Sequence, residues 1–169
     1  SKFNPTWTIP KMDKSKNNIP NKELLENMVF NLGMVELVSY WKITCAPHVT
    51  VKNIYLSQKQ IDWWKKLYFY GLGEFFYKNN IKTNIDEFMN ITAGTNKLLK
   101  SEINISDEFT GALVPIGGGK DSIVTLNVIK DDFANNMCYV INPRGATEET
   151  AETAGYGENK RCYVKRTLD

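Results

Sequence analysis

The stretch LVPIGGGKDSIVTL, residues 113–126, restricts the fold more than any other part of this chain. Three glycines separate two apolar runs of different period. Ala112–Ile116 is short and continuously apolar, the pattern of a buried strand. Ser122–Ile129 places Ile123, Leu126 and Ile129 at helical spacing. Strand, glycine turn and helix in that order make a shape that commonly cradles phosphate, because the turn and the first helical turn point N–H groups at one spot.

The segments that follow extend the pattern. Met137–Ile141 reads as a second buried strand. Thr147–Ala154 reads as a helix with Gly155 as its C-terminal cap, and Arg161–Lys165 as a third strand. The order β-α-β-α-β predicts a parallel sheet with crossover helices. From Gly117 onward the chain is short for a doubly wound sheet, which predicts a fragment of a longer protein. A third strand left open at its edge predicts pairing with a second copy, hence a homodimer through an open sheet edge.

Upstream, the residues predict a mixed α+β domain over 1–105, followed by an incomplete domain over 106–169. Trp7 and Ile9 alternate with threonines as in a short edge strand, and Lys11–Asn18 reads as an exposed loop. Asn21 is placed to cap a helix whose apolar face is Leu24, Leu25, Met28, Leu32 and Val35. Val38, Tyr40 and Trp41 lead into a less regular segment, which Pro47 ends. His48–Lys52 alternates like a strand. Ser57 with Gln60 forms a capping box at the start of a helix bearing Ile61, Trp64, Leu67, Tyr68, Leu72, Phe75 and Phe76. Gly33 either weakens the first helix slightly or lets another backbone come close, Gly71 and Gly73 allow close packing at some cost in helix propensity, and Asn79–Asn80 stops the second helix. Thr92–Asn96 reads as loop.

Composition removes several classes. The net charge of +2 is too mild for nucleic-acid binding, and no run of about 18 apolar residues predicts a membrane span. Cys45, Cys138 and Cys162 are widely spaced with no CxxC pair, so neither zinc nor redox chemistry is supported. Free thiols and an N-terminus without a signal-peptide apolar core predict a cytoplasmic protein.

Two phosphate motifs fail on spacing. A Walker A loop would need Gly where Val114 stands, and Ser or Thr where Asp121 stands. A dinucleotide fingerprint finds Gly117 and Gly119, but Ser122 in the third glycine position. It also finds Asn142 and Pro143, not a carboxylate, after the second strand. What remains is a nest of N–H groups from Gly118 to Ser122, with the Lys120 ammonium and the Ser122 hydroxyl as further donors. Asp121 opposes a bare phosphate, so it either holds Mg²⁺ against phosphate oxygens or caps the helix.

GGGKDS resembles the SGGxDS loop of the PP-loop ATP pyrophosphatases, with Gly117 in place of the first serine. The resemblance narrows upstream. Asn31–Lys42, Cys45-Ala46-Pro47, Trp63-Trp64 and Gly71–Tyr77 look like the N-terminal domain of the UDP-N-acetylmuramoyl-L-alanyl-L-glutamate epimerase family, MurL, and Val164–Asp169 is also similar to it. It implies an adenine nucleotide alpha hydrolase-like ATP-binding domain and ATP-dependent inversion of the terminal L-Glu of UDP-MurNAc-L-Ala-L-Glu, through adenylation of the carboxylate. ATP and Mg²⁺ are the implied cofactors. Gly117, Gly118, Gly119, Lys120, Asp121 and Ser122 would hold the nucleotide, Lys120 and Asp121 acting in catalysis and Asp121 on the metal. Asn142 would lie beside the adenine.

Lys42 and Glu74 fall in the family-like motifs as candidate substrate contacts, although Glu74 also fits the polar side of an amphipathic helix. Arg144 and Arg166 are candidates for a phosphate or carboxylate. Cys45 and His48 could titrate usefully, or be an inert small residue and a strand start. Trp41, Trp63, Trp64, Phe75 and Phe76 read as core, not as a stacking platform. Another PP-loop adenylating enzyme (a ligase or RNA-modifying protein) and a non-catalytic ATP-binding fragment remain alternatives.

Overall fold

The computed structural model describes residues 2–10, 22–52, 54–94 and 111–168. The expected cap at Asn21, the loop Lys11–Asn18 and the boundary near residue 105 lie outside the described residues. The chain divides into two compact units, one of Pro20–Ile103 and one of Ser1–Ile19 with Asn104–Asp169. Together they give a mixed α/β chain.

The first of these units carries α1 (Lys22–Thr44), β2 (His48–Val51), α2 (Gln58–Gly71), α3 (Gly73–Lys78) and β3 (Asn90–Ala93). β2 and β3 pair in parallel, His48 opposite Asn90 and Val51 opposite Ala93, so α2 and α3 are the crossover between them. The Ser57–Gln60 capping box opens α2 as its spacing predicts. The Gln60 N–H donates to Ser57 Oγ at 3.4 Å, and the Ser57 N–H donates to Gln60 Oε1 at 2.9 Å.

Several expectations here are corrected. α1 runs unbroken to Thr44, through the residues expected to be irregular. Its core side is Met34 and Trp41, with Phe30, Leu37 and Val38 packed against the same cluster, whereas Leu25, Met28 and Val35 are exposed. The helix is apolar on nearly every side, so spacing alone could not select its inner stripe. The helix after Ser57 breaks at Leu72 into α2 and α3. A Cβ at Gly33, Gly71 or Gly73 would meet nothing within 4 Å, so no backbone packs closely against them. Thr92 lies in β3, not in a loop. Of the aromatics expected in the core, Trp41, Trp64 and Phe76 are buried and Phe75 packs beside them, but Trp63 is exposed.

Trp41 anchors this core. Its Nε1 donates to the Ala46 carbonyl at 2.8 Å, and its ring meets Phe88 edge-on at 5.8 Å. Tyr68 is the second anchor, its hydroxyl donating to the Met34 carbonyl at 2.7 Å. Burial pushes the Tyr68 phenol well above its ordinary value. A phenol with a raised folded-state pKa contributes stability that is whole below about pH 10, the unfolded value, and is lost as pH rises further. We expect the unfolding free energy to fall between about pH 9 and 11, this group contributing at most about 1.4 kcal/mol per pH unit. In Tyr68→Phe that contribution should vanish, at a cost near neutrality of about 1 kcal/mol for the lost hydrogen bond. Urea unfolding at the two pH values would read both effects, and equal alkaline slopes for the two proteins would refute the assignment.

The other unit holds β1 (Thr6–Thr8), β4 (Leu113–Pro115), α4 (Lys120–Val128), β5 (Met137–Ile141), α5 (Gly145–Thr153) and β6 (Arg161–Thr167). Strand order is β1-β6-β5-β4. β4, β5 and β6 are parallel as expected, and β1 runs antiparallel along β6. The sheet is therefore mixed. Two expectations differ from it. The N-terminal strand belongs to this sheet and not to the α1–β3 unit, because Trp7 pairs with Arg166 and lies 5.7 Å from its guanidinium carbon. The third strand of the parallel set, β6, is not the sheet's edge, since β1 pairs with its Lys165–Thr167 end; the sheet's outer strands are β1 and β4.

Val114, Ile116, Leu126, Cys138, Val140, Ala151 and Tyr156 form the core between this sheet and its helices. Cys138 is fully buried, and burial raises its thiol above the usual range, so it is an inert core residue. α5 ends in a Schellman motif, Gly155 N–H to the Glu152 carbonyl at 2.8 Å and Tyr156 N–H to the Ala151 carbonyl at 2.9 Å. Leu113, Met137 and Ile141, which alternate with the buried positions along β4 and β5, are exposed. Among the described residues no helix is long and apolar enough to cross a membrane.

Candidate functional site

β4 delivers the chain to Ile116, whose N–H still bonds across to the Tyr139 carbonyl at 2.9 Å. The glycines then leave the sheet. Gly118 has φ +82, a conformation L side chains rarely adopt, and a Cβ there would stand 3.0 Å from the Ala146 carbonyl carbon and methyl. Ala146 is in the first turn of α5, so this glycine lets the loop lie against that helix's N-terminus. Gly117 and Gly119 have open space where a Cβ would go.

α4 begins at Lys120 with Gly119 as its N-cap and no side-chain cap. That corrects the expectation that Asp121 caps the helix. It sits inside the first turn, exposed, where its charge suits the helix dipole. The nest is also narrower than expected. The Ser122 N–H is taken by the Gly119 carbonyl at 3.2 Å, and the Gly117 N–H donates to Ser122 Oγ at 3.2 Å. Ser122 thus closes the loop on itself, its hydroxyl proton remaining for a further acceptor. The N–H groups of Gly118, Gly119, Lys120 and Asp121 are the ones placed to meet an anion.

An uncapped helix start, a glycine no other residue can replace without strain and an exposed Lys120 suit a polyphosphate. No group of three or more His, Cys, Asp or Glu side chains stands together among the described residues. A divalent ion at Asp121 would therefore complete its shell with oxygens of the anion and water.

The remaining candidates fall in two places. Asn142, Arg144 and Arg166 are in the sheet unit that holds the loop. Asn142, at φ +49 just past β5, bridges to the Arg166 backbone through its amide. Its Nδ2 donates to the Arg166 carbonyl and its Oδ1 accepts from the Arg166 N–H, both at 2.8 Å. Arg144 is the N-cap residue of α5 through its backbone, its N–H donating to Thr147 Oγ1 at 2.9 Å, while its side chain is exposed. Lys42 and Glu74 are in the α1–β3 unit. Both are exposed. Lys42 Nζ lies 5.9 Å from the Phe75 ring centroid, and Glu74 pairs with Lys78 at 2.6 Å, the geometry of a solvated helix face. Cys45 follows α1 at φ +48, and His48 is the exposed first residue of β2.

Arg161 went unremarked in the sequence because a lone basic residue opening a strand carries no pattern. Its guanidinium is buried, bonded to the Tyr156 carbonyl at 2.6 Å, to Glu158 at 3.3 Å and to Glu152. These contacts bind α5 and the turn after it to β6.

A family model described as MurL N-terminal domain matches residues 1–169. Two curated relatives carry the name UDP-N-acetyl-alpha-D-muramoyl-L-alanyl-L-glutamate epimerase. The one from Salinispora tropica is 27% identical over 124 residues, 73% of this chain and 26% of that protein. The one from Xanthomonas oryzae pv. oryzae is 26% identical over 99 residues, 59% of this chain and 21% of that protein. The matched part thus spans about a quarter of these relatives' length. No solved structure matches the chain.

Proposed function

The chain belongs to the MurL N-terminal domain family, and from that membership and the glycine cradle we propose that it is part of an ATP-dependent epimerase. The substrate would be UDP-MurNAc-L-Ala-L-Glu, whose terminal L-glutamate is inverted to D-glutamate for peptidoglycan precursor synthesis. In this reading the sheet unit opens a PP-loop ATP-binding domain. The observation that carries it is the uncapped start of α4, with Gly118 at φ +82 against Ala146.

The α-proton beside a carboxylate is barely acidic, because its removal would gather two negative charges on one group. Adenylation by bound ATP would turn that carboxylate into a mixed anhydride, whose α-proton a modest base removes. The cradle's part is electrostatic. N–H groups from Gly118 to Asp121 fix the pyrophosphate portion, and Lys120 offsets charge that builds on the departing oxygens. Asp121 would hold Mg²⁺ against the same oxygens.

Calorimetric titration of the chain with ATP and Mg²⁺ tests this. Lys120→Ala and Asp121→Ala should each weaken binding by about tenfold or more, the scale of one charge-assisted contact. Binding by wild type that both variants retain in full would remove the loop from the site.

A further inference from the structure

The sheet of the α1–β3 unit has only the strands β2 and β3, so both of its edges are open among the described residues. β3 directs the N–H groups of Asn90 and Gly94 to β2, onto the Pro47 and Val51 carbonyls at 2.8 Å each. Successive residues of a strand turn their backbone groups to opposite sides, so those of Ile91 and Ala93 point to the outer edge. They have no partner among the described residues. Ile91 is only 4% exposed, so bulk water meets its backbone groups poorly. Beside this edge runs a groove of about 460 Å³, closed on its other side by Gln58, Ile61, Asp62 and Lys65 of α2.

The other open edges are poorer templates for a strand. In β4 the Ile116 N–H turns inward to β5, so Leu113 and Pro115 turn outward, and Pro115 has no N–H. β1 is three residues long and lies between Pro5 and Pro10. In β2 the outward residues are His48 and Thr50, which are exposed to water. The β3 edge carries neither proline nor charge.

A second copy fits this edge because the edge is its own complement. About a twofold axis at Thr92, Ile91 meets the second copy's Ala93 and Ala93 meets its Ile91, each pair exchanging both N–H···O bonds. The two Thr92 side chains then face each other. They extend the Thr50–Thr92 hydroxyl contact of 3.2 Å into a row of threonines, a favourable cross-strand pairing. The same axis sets the two α2 helices side by side and antiparallel. Strands lie about 4.8 Å apart, so helices over the midlines of adjoining strand pairs stand about 10 Å apart, the distance at which helices pack. On α2 the acid Asp62 has Lys59 and Lys65 one turn away on either side. An antiparallel copy therefore brings a lysine to each Asp62.

We propose that this edge joins two copies of the chain, β3 to β3 and antiparallel, into one continuous sheet with paired α2 helices. The self-pairing expected of the third parallel strand falls to β3 instead. The proposal stands apart from the epimerase reading.

Sedimentation velocity of the full chain over a concentration series tests it, beside Ala93→Pro and Asp62→Arg. Wild type should run as a dimer at about 0.1 mM, well above a micromolar Kd. The Ala93 N–H points away from β2, so Ala93→Pro removes an outward donor and leaves the β2–β3 ladder in place. It should weaken the dimer about tenfold or more. Asp62 is exposed, and Asp62→Arg gathers like charges along the helix pair, with a loss of similar size. Mixing Asp62→Arg with a Lys59→Glu/Lys65→Glu variant should restore a dimer of one copy of each. Circular dichroism matching wild type shows that each variant is folded. Wild type that stays monomeric at about 0.1 mM, its edge then left for a strand of another protein, would overturn the proposal. So would a dimer that folded Ala93→Pro and Asp62→Arg both form at wild-type strength, since it would lie on another surface.

Discussion

Replacing Gly118 by valine is expected to lower the affinity for ATP with Mg²⁺ about a hundredfold. Two effects act at once. At φ +82 a side chain costs about 1–2 kcal/mol against the backbone alone, and a β-branched one more. The new Cβ would also press on the Ala146 carbonyl carbon and methyl at 3.0 Å, held in the first turn of α5. The loop must swing away from α5, and the N–H groups of Gly118 and Gly119 leave their common focus. Each hydrogen bond to a charged group is worth about 1.5–3 kcal/mol, so two such losses give the stated factor at the lower end of that range. Gly117→Ser is the matching control. It has open space for its side chain and should leave binding within about threefold of wild type. Titration calorimetry on the three proteins decides the matter. Equal binding by Gly118→Val would mean that these N–H groups do not meet the ligand.

The contrast between those two glycines shows where sequence is a good guide and where it is not. Three consecutive glycines before a helix announce a cradle, because few other arrangements need them. Which glycine is irreplaceable depends on Ala146, a contact made by a helix that starts 27 residues after Gly118. The parallel set β4-β5-β6 was legible for a similar reason. Its strands are apolar runs separated by helices, and crossover geometry leaves little freedom. β1 was legible as a short edge strand but its sheet was not, because Thr6-Trp7-Thr8 pairs with a strand that ends 161 residues downstream of Thr6. α1 failed differently. Leu25, Met28 and Val35 share a helical stripe as convincing as that of Met34 and Trp41, and only packing separates them. At the candidate site, the resemblance placed Asn142 beside the adenine, and what the sequence did not show is that its amide also bridges the β5 end to β6. A polar side chain at a strand's carboxyl end suits either use, and the backbone groups it would satisfy are invisible in sequence.

Gly111→Ala should be the most destabilising single methyl addition in the sheet unit, costing about 3 kcal/mol or more. Gly111 precedes β4 at φ +85, and an added Cβ would overlap the carbonyl group of Asn135. Relief by moving Asn135 is closed off by its neighbours. Asn136 is buried, its Oδ1 accepting from the Ala112 N–H and its Nδ2 donating to the Ile129 carbonyl, both at 2.9 Å. From the other side the Lys160 ammonium donates to the Phe133 carbonyl at 2.7 Å and the Asn136 carbonyl at 3.4 Å, with the Phe133 ring centroid 4.9 Å away. The turn between α4 and β5 is thus clamped at several points, and the strain must pass into β4. That strand carries the chain into the glycine loop, so stability and ligand affinity should fall together. Amide hydrogen exchange at Val114 and Cys138 gives the local reading, since both lie in the strands that must part. Loss of about 3 kcal/mol corresponds to exchange faster by about two orders of magnitude wherever these amides open by the same unfolding. An acceleration of exchange of under about threefold would show that the Asn135 turn yields, and that its clamps are weaker than their geometry implies.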